Sequence, residues 1–302
     1  MAGDFSQGAA FIDGTIVPVG EAKISVMDWG LTHSDITYDV VPVIDGGFFR
    51  LPDYLARFQA SLAALFLDIP QDSEDIRAIL HSIVVKAGLR DSYCAMVASR
   101  GVPIIPGSRD PRECANHFFA WAVPYIHVVK PDVIARGARL WISKETRRIP
   151  EDSVNPRAKN YHWGDFTQGI FEAKRAGFDN VALLDHDGNV TEGPGFNVFA
   201  VTANRLVTSD HGVLHGISRK TVLELAREQG LNVETRPLPL QELLDADEVF
   251  LSSSGGGVLP IAQVDDRIYQ NASIGPVSEA LNAAYWARTK EPAYREEIVY
   301  NG

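Results

Sequence analysis

A chain that runs GVLHGISRK at Gly212–Lys220 has to fold so that a glycine–apolar–serine step opens a helix. The run Lys220–Gln229 behind it has helical periodicity, so Gly216-Ile217-Ser218 offers bare backbone N–H groups and a hydroxyl at a helix N-terminus. The aligned peptide dipoles favour an anion there, a phosphate above all. A second segment, TEGPGFNVF at Thr191–Phe199, sets a carboxylate, Glu192, after the strand-like run Val181–Asp185 and its return Val190–Thr191. Glycines hold the turn open before the apolar stretch Phe196–Val201. A phosphate cradle and a buried acid are what a protein must supply to an aromatic cofactor with a ring nitrogen and a phosphate tail.

Pyridoxal phosphate answers that description, and its chemistry needs a lysine. The candidate is Lys159, in NPRAKNYHWGDF. It stands just before apolar positions at Trp163, Phe166, Ile170 and Ala173, spaced for a helix that closes at Gly177. A lysine that condenses with an aldehyde must be neutral enough to attack, so it needs a partly desolvated site near apolar or cationic groups. Trp163 and Arg157 are close enough in sequence to supply them. Lys159 is one of eight lysines, so this setting alone does not single it out.

The separated motifs together carry a family resemblance. They are MDWGLTHSDITYDV at Met27–Val40, LARFQAS at Leu55–Ser61, KNYHWGD at Lys159–Asp165, the Glu192 and Gly216 segments, and SSSGGGVLPI at Ser252–Ile261. The chain resembles the class IV (fold-type IV) pyridoxal-phosphate aminotransferases over nearly its whole length. Within them it is most similar to the (R)-selective amine transaminases. The resemblance implies an α/β fold with a small α/β domain, a larger domain on a β-barrel-like sheet, and a homodimer with its sites at the interface.

It also implies roles. Lys159 would hold the cofactor covalently and then act as general base and acid at the substrate's α-carbon. Glu192 would keep the pyridine nitrogen protonated, so that negative charge developing at that carbon is stabilised. Arg57 would give the phosphate a bidentate guanidinium. Ile217 and Ser218 would add backbone N–H groups and a hydroxyl, and Ser254, then Ser253, further contacts. His33, Tyr38, Val40, Tyr93, Ala95 and Trp163 would line the substrate pocket. Tyr38 and Val40 share a face if their segment is extended. A keto-acid carboxylate wants an arginine on the loop SRGVPIIPGSRDPRE, where Arg100, Arg109 and Arg112 are the candidates and Arg109, after Gly107-Ser108, is preferred. No metal is expected.

The reading that follows is a transaminase moving an amino group from an (R)-configured primary amine to a small keto acid such as pyruvate. The alternatives on the same fold are D-amino acid and branched-chain amino acid aminotransferases and aminodeoxychorismate lyases. Those amino-acid enzymes place an arginine on the strand that here reads YCAMVASRG, whose middle is apolar, which lowers both without excluding them. A cofactor-holding protein without turnover is disfavoured by the intact Lys159 and Glu192.

A net charge of −11 argues against nucleic acid and anionic membranes as partners. The anionic cofactor must therefore be caught by local features. MAGDFSQGAA has neither basic nor apolar leader character, and Cys94 and Cys114 read as reduced core thiols, so a cytoplasmic setting is expected. His117–Val129 reads as buried strand. Helical periodicity covers Tyr54–Phe66, Ser73–Ala87 and Arg219–Gln229; hairpin turns are expected at Asp13-Gly14 and Asp45-Gly46-Gly47. These suggest a small domain over 1–125, a connection at 126–133 and a large cofactor-binding domain over 134–302.

Overall fold

The computed structural model describes residues 4–270 and 274–300. The chain divides into two compact units. The first comprises Met1–Ile126, Ala158–Tyr161 and Glu291–Gly302, and the second His127–Arg157 and His162–Lys290. Two short stretches, one of them carrying Lys159, thus belong with the first unit although the sequence reading put them in the second domain. They do so because Asn160 bridges Thr37, and Glu297 and its neighbours pair with Gly47–Phe49.

In the first unit the described residues form a seven-stranded antiparallel sheet. Its order is Arg295–Glu297, Gly47–Phe49, Ile36–Ile44, Ser92–Pro103, Cys114–Pro124, Ala9–Ile12 and Thr15–Pro18. Hairpin turns fall at Asp13-Gly14 and Asp45-Gly46, where Gly14 and Gly46 have φ of 75° and 83°. The helix Leu51–Ala64 buries Leu51, Tyr54, Leu55, Phe58 and Leu62, one face of a 3.6-residue repeat, and packs on Ile36–Ile44. It begins three residues before the expected Tyr54, since Pro52 pre-sets the first turn. The helix Ser73–Ala87 opens on a capping box between Asp72 and Asp75 and ends at Gly88 in the left-handed conformation. The apolar run from His117 is not a uniformly buried strand to Val129. The strand ends at Pro124, and its residues alternate between buried Phe118, Ala120 and Ala122 and half-buried His117, Phe119 and Trp121.

The second unit is built on a mixed sheet that curls into a half-barrel, eleven strands among the described residues. Its central strands run in the order Arg205–Thr208, Phe196–Thr202, Glu248–Ser253, Gly257–Val264, Ala138–Arg147 and Asn180–Leu184. Leu140, Ile142, Val198, Leu251 and Ile261 belong to its main apolar core. The helix Gly164–Arg175 packs on Ala138–Arg147 and Asn180–Leu184. A Cβ at its Gly169 would stand 2.9 Å from Leu183 Cδ2, so glycine allows that approach. Lys159 lies before this helix rather than on it. Cys94 and Cys114 are both free and buried. Among the described residues no helix is long and apolar enough to cross a membrane.

Candidate active site

In the first unit, the strand Ile36–Ile44 fixes Lys159 by its backbone. Thr37 Oγ1 donates to the Lys159 carbonyl at 2.6 Å and the Tyr38 N–H to the same oxygen at 3.3 Å. The Lys159 N–H donates to Ser61 Oγ at 3.2 Å, and that hydroxyl donates to the Arg57 carbonyl at 3.0 Å. The side chain is half-buried, and its Nζ lies 4.4 Å from the centre of the Tyr38 ring. Tyr161, two residues on in this extended segment, stacks on the same ring with centroids 4.1 Å apart. The sequence reading missed Tyr161. Its i, i+2 relation to Lys159 was the available signal.

Sheet register gathers the apolar candidates. Tyr38 pairs with Val97 and Val40 with Ala95, and Ile36, Tyr38, Val40, Ala95 and Val97 form one buried cluster. Tyr93, Phe119, Trp121 and Tyr161 pack at its rim. Burial pushes the Tyr93 phenol up to about 12, with the nearby Lys159 ammonium opposing. His33 is not part of this group. It is exposed, stacked on Trp29 at 4.5 Å, with Nδ1 2.8 Å from Thr32 Oγ1. Trp163 belongs to the second unit, edge-on to Phe166 at 5.7 Å and packed against the cluster of Phe166, Ala173, Val181 and Leu183.

Arg57 is engaged within the protein. Its Nε and Nη2 donate to the two oxygens of buried Asp39 at 2.7 and 2.6 Å. That fork raises the guanidinium's proton affinity against the opposing effect of burial, which is the larger single influence. The three loop arginines are now distinguishable. Arg100 is buried, paired with Asp35 at 2.9 and 3.1 Å and donating to the Phe66 and Leu65 carbonyls at 2.6 Å each. Arg112 is chelated to Asp110. Arg109 is exposed and makes no hydrogen bond or ion pair among the described residues, and Gly107 before it has φ 81°.

In the second unit, register builds a row. Glu192 pairs with Asn197, and Asn197 with Ser252, so the three side chains share a face of adjacent strands. The buried Glu192 carboxylate accepts from Arg148 Nη2 at 3.2 Å, the Leu214 N–H at 2.9 Å and Asn197 Nδ2 at 3.4 Å. Arg148 and Asn197 were not foreseen, because they lie 44 and 5 residues from Glu192 and only the fold brings them to it.

The helix Ile217–Glu228 starts at Gly216, which makes no side-chain cap. Ser218 is inside the first turn and not an N-cap; its hydroxyl is 2.9 Å from Tyr285 Oη. The three serines expected near a phosphate differ in their surroundings. Ser253 Oγ donates to the Gly195 carbonyl at 2.7 Å, which engages the proton it would offer a phosphate. Ser254 stands in the turn that follows. Ser252 Oγ is buried and has no hydrogen-bond partner among the described residues.

These features fit pyridoxal phosphate. The second unit presents a buried anion for a ring nitrogen, an uncapped helix N-terminus and an orphaned buried hydroxyl. A side chain at residue 216 would fill the space between that terminus and Asn197, whose Oδ1 lies 2.4 Å from the Cβ position. Arg219, on the same helix, is buried, donates to the Ser209 carbonyl at 3.0 Å, and adds positive charge close to Glu192.

The family model "Amino-transferase class IV" matches residues 37–264. A putative branched-chain-amino-acid aminotransferase of Methanocaldococcus jannaschii is 31% identical over 278 residues, covering 91% of this chain and 94% of that protein. A D-alanine aminotransferase of Bacillus licheniformis is 26% identical, over 90% and 94% of the two chains. The crystal structure of a T.th. branched-chain amino acid aminotransferase, complexed with N-(5'-phosphopyridoxyl)-L-glutamate, aligns with a TM-score of 0.87. Its identity is 26%, over 97% of this chain and 99% of that one. With more than half its length matched by the family model, this chain belongs to the class IV aminotransferases, enzymes that work through pyridoxal 5'-phosphate.

Proposed function

We propose that this aminotransferase moves the amino group of an (R)-configured primary amine with apolar substituents to a small α-keto acid such as pyruvate. The observation behind this reading is the face shared by Tyr38, Val40, Ala95 and Val97, with Tyr93 and Trp121 at its rim. The strand segment Tyr93–Ser99 brings no cation for a substrate carboxylate, whereas apolar groups gain about 25 cal/mol per Å² removed from water. The (R) preference rests on the motif resemblance.

The relatives favour a second reading more strongly than this one: a branched-chain or D-amino acid as donor. Under it the α-carboxylate is held by a group off that strand, Arg109 being the exposed candidate.

In either reading, Lys159 holds the cofactor covalently and, once released, moves a proton at the substrate's α-carbon. Glu192 pairs with the pyridine nitrogen. The Ile217 and Ser218 N–H groups, the Ser218 and Ser254 hydroxyls and Arg57 bind the phosphate. When bound, the cofactor supplies an electron sink for the pair left at the α-carbon. Homodimeric assembly is part of the proposal, supported by exposed Val26, Met27, Leu31 and Ile104 on the first unit. A reducing cytoplasmic setting is supported by the two free thiols.

The test is the single-turnover absorbance change of the loaded protein with (R)-1-phenylethylamine, its (S) enantiomer, L-leucine and D-alanine. Reaction with the (R)-amine alone supports the first reading. Faster reaction with either amino acid establishes the second, and no reaction with any of the four overturns both.

A further inference from the structure

One buried guanidinium has no part in the roles just given. Arg148 follows the strand Ala138–Arg147 and is 7% exposed. Its Nη1 donates to Asp165 Oδ2 at 2.6 Å and its Nη2 to Glu192 Oε1 at 3.2 Å. Its guanidinium carbon also lies 4.3 Å from the centre of the Phe166 ring. Asp165 is itself anchored. It accepts from the Ile149 N–H at 3.0 Å and the Phe166 N–H at 2.7 Å, in the first turn of the helix Gly164–Arg175, where the dipole favours an acid. The chain therefore grips Arg148 through Asp165 and Phe166 and turns Nη2 on Glu192, while Nε has no hydrogen-bond partner among the described residues.

A buried carboxylate left alone tends to take a proton, and a protonated Glu192 could not pair with a pyridinium. We propose that Arg148 is a positioning residue for transamination: acting through Glu192, it keeps that carboxylate ionised and aimed, so that the protein prefers a ring carrying a protonated nitrogen. This rests on the assignment of Glu192 to the pyridine nitrogen. Lysine is a poor substitute, because one ammonium cannot span Asp165 and Glu192 as the planar fork does.

Pyridoxamine 5'-phosphate cannot condense with Lys159, so its binding reports the non-covalent site. Its Kd, and that of its 1-deaza analogue with C–H in place of the ring nitrogen, are measured by equilibrium dialysis. The native protein is expected to prefer the parent by about tenfold or more, as a charge-assisted contact implies. Arg148→Gln should bring that ratio to within about twofold of one, and Arg148→Lys should fall between. A purely structural role would weaken both ligands alike and leave the ratio at its native value; a native ratio in either variant overturns the proposal. Should Arg148→Gln not fold, Arg148→Lys alone decides on the same criterion. Glu192→Gln is run alongside. If it keeps the native ratio, the Glu192 assignment itself has failed, an outcome separate from any result at Arg148.

Discussion

Replacing Gly216 by alanine isolates the contribution of open space at the helix N-terminus. Gly216 has φ −58° and ψ 140°, which any residue can adopt, so the change adds a Cβ without backbone strain. That Cβ would stand 2.4 Å from Asn197 Oδ1 and 3.4 Å from Arg219 Cβ. Real Cβ contacts begin at 3.0 Å, so Asn197 would have to retreat by 0.6 Å, the difference between 3.0 and 2.4. It is held in place: its Nδ2 donates to the Leu214 carbonyl at 2.9 Å and to Glu192 Oε2 at 3.4 Å. Overpacking a site whose neighbours cannot yield costs about 1–3 kcal/mol. Because the displaced asparagine borders Glu192, part of that strain should fall on the cofactor. We expect pyridoxamine 5'-phosphate, followed by equilibrium dialysis, to bind about 5- to 150-fold more weakly to Gly216→Ala. Gly164→Ala is the control, since nothing lies within 4 Å of its Cβ position. It should leave the Kd unchanged and raise Tm slightly, as alanine favours the helix by up to about 1 kcal/mol. Native affinity in folded Gly216→Ala would refute the argument.

Borohydride reduction of the loaded enzyme should leave a pyridoxyl adduct on Lys159 in peptide mass spectra; recovery on another lysine would remove its assignment. Glu192→Gln should lower kcat by about two to three orders of magnitude, as expected for loss of one electrostatic stabiliser, and a near-native kcat would make Glu192 structural. Arg109→Ala should weaken the keto-acid half-reaction about 10- to 150-fold in apparent affinity and spare the amine half-reaction, measured by single turnover; equal rates in both would move the carboxylate elsewhere. Burial raises the Tyr93 phenol from 10.0 to about 12, so its neutral form is the one the fold favours. Its contribution to stability is therefore complete below pH 10 and lost as pH rises through about 12. Tyr93→Phe should remove that component from an ultraviolet phenolate titration.

The parts of the molecule that could be read from sequence are those whose causes are local. Asp13-Gly14, the Asp72–Asp75 box and Gly88 announce a turn, a helix start and a helix stop within a few residues. Alternation along Thr37–Val40 was enough to put Tyr38 and Val40 on one face, and strand register sets Ala95, expected from the neighbouring strand, opposite Val40. What could not be read depends on partners far apart in the chain. Arg57 is the clearest case. Its sequence context suited a phosphate, and nothing near it in the chain announces Asp39, which lies on the strand its helix packs against and takes two of its nitrogens. The hydrogen bond of Ser253 likewise goes to Gly195, 58 residues distant. Nothing in MDWGLTHSD reveals that the His33 imidazole lies on Trp29.

The way Lys159 is tied to the strand Ile36–Ile44 has a consequence for how activity emerges during folding. The Thr37 hydroxyl and the Lys159 carbonyl it binds are 122 residues apart. Bringing such distant segments together carries a loop-closure entropy that grows with the logarithm of the separation, and contacts of this range form slowly. The strand must also have found its place before there is an edge for Asn160 to join. A chain emerging from the ribosome therefore has no ordered lysine site until more than half of it has been made. Aldehydes met before that point encounter an ordinary solvated amine, so reactivity of Lys159 toward pyridoxal phosphate should rise with the slow, long-range phase of refolding rather than with early helix formation.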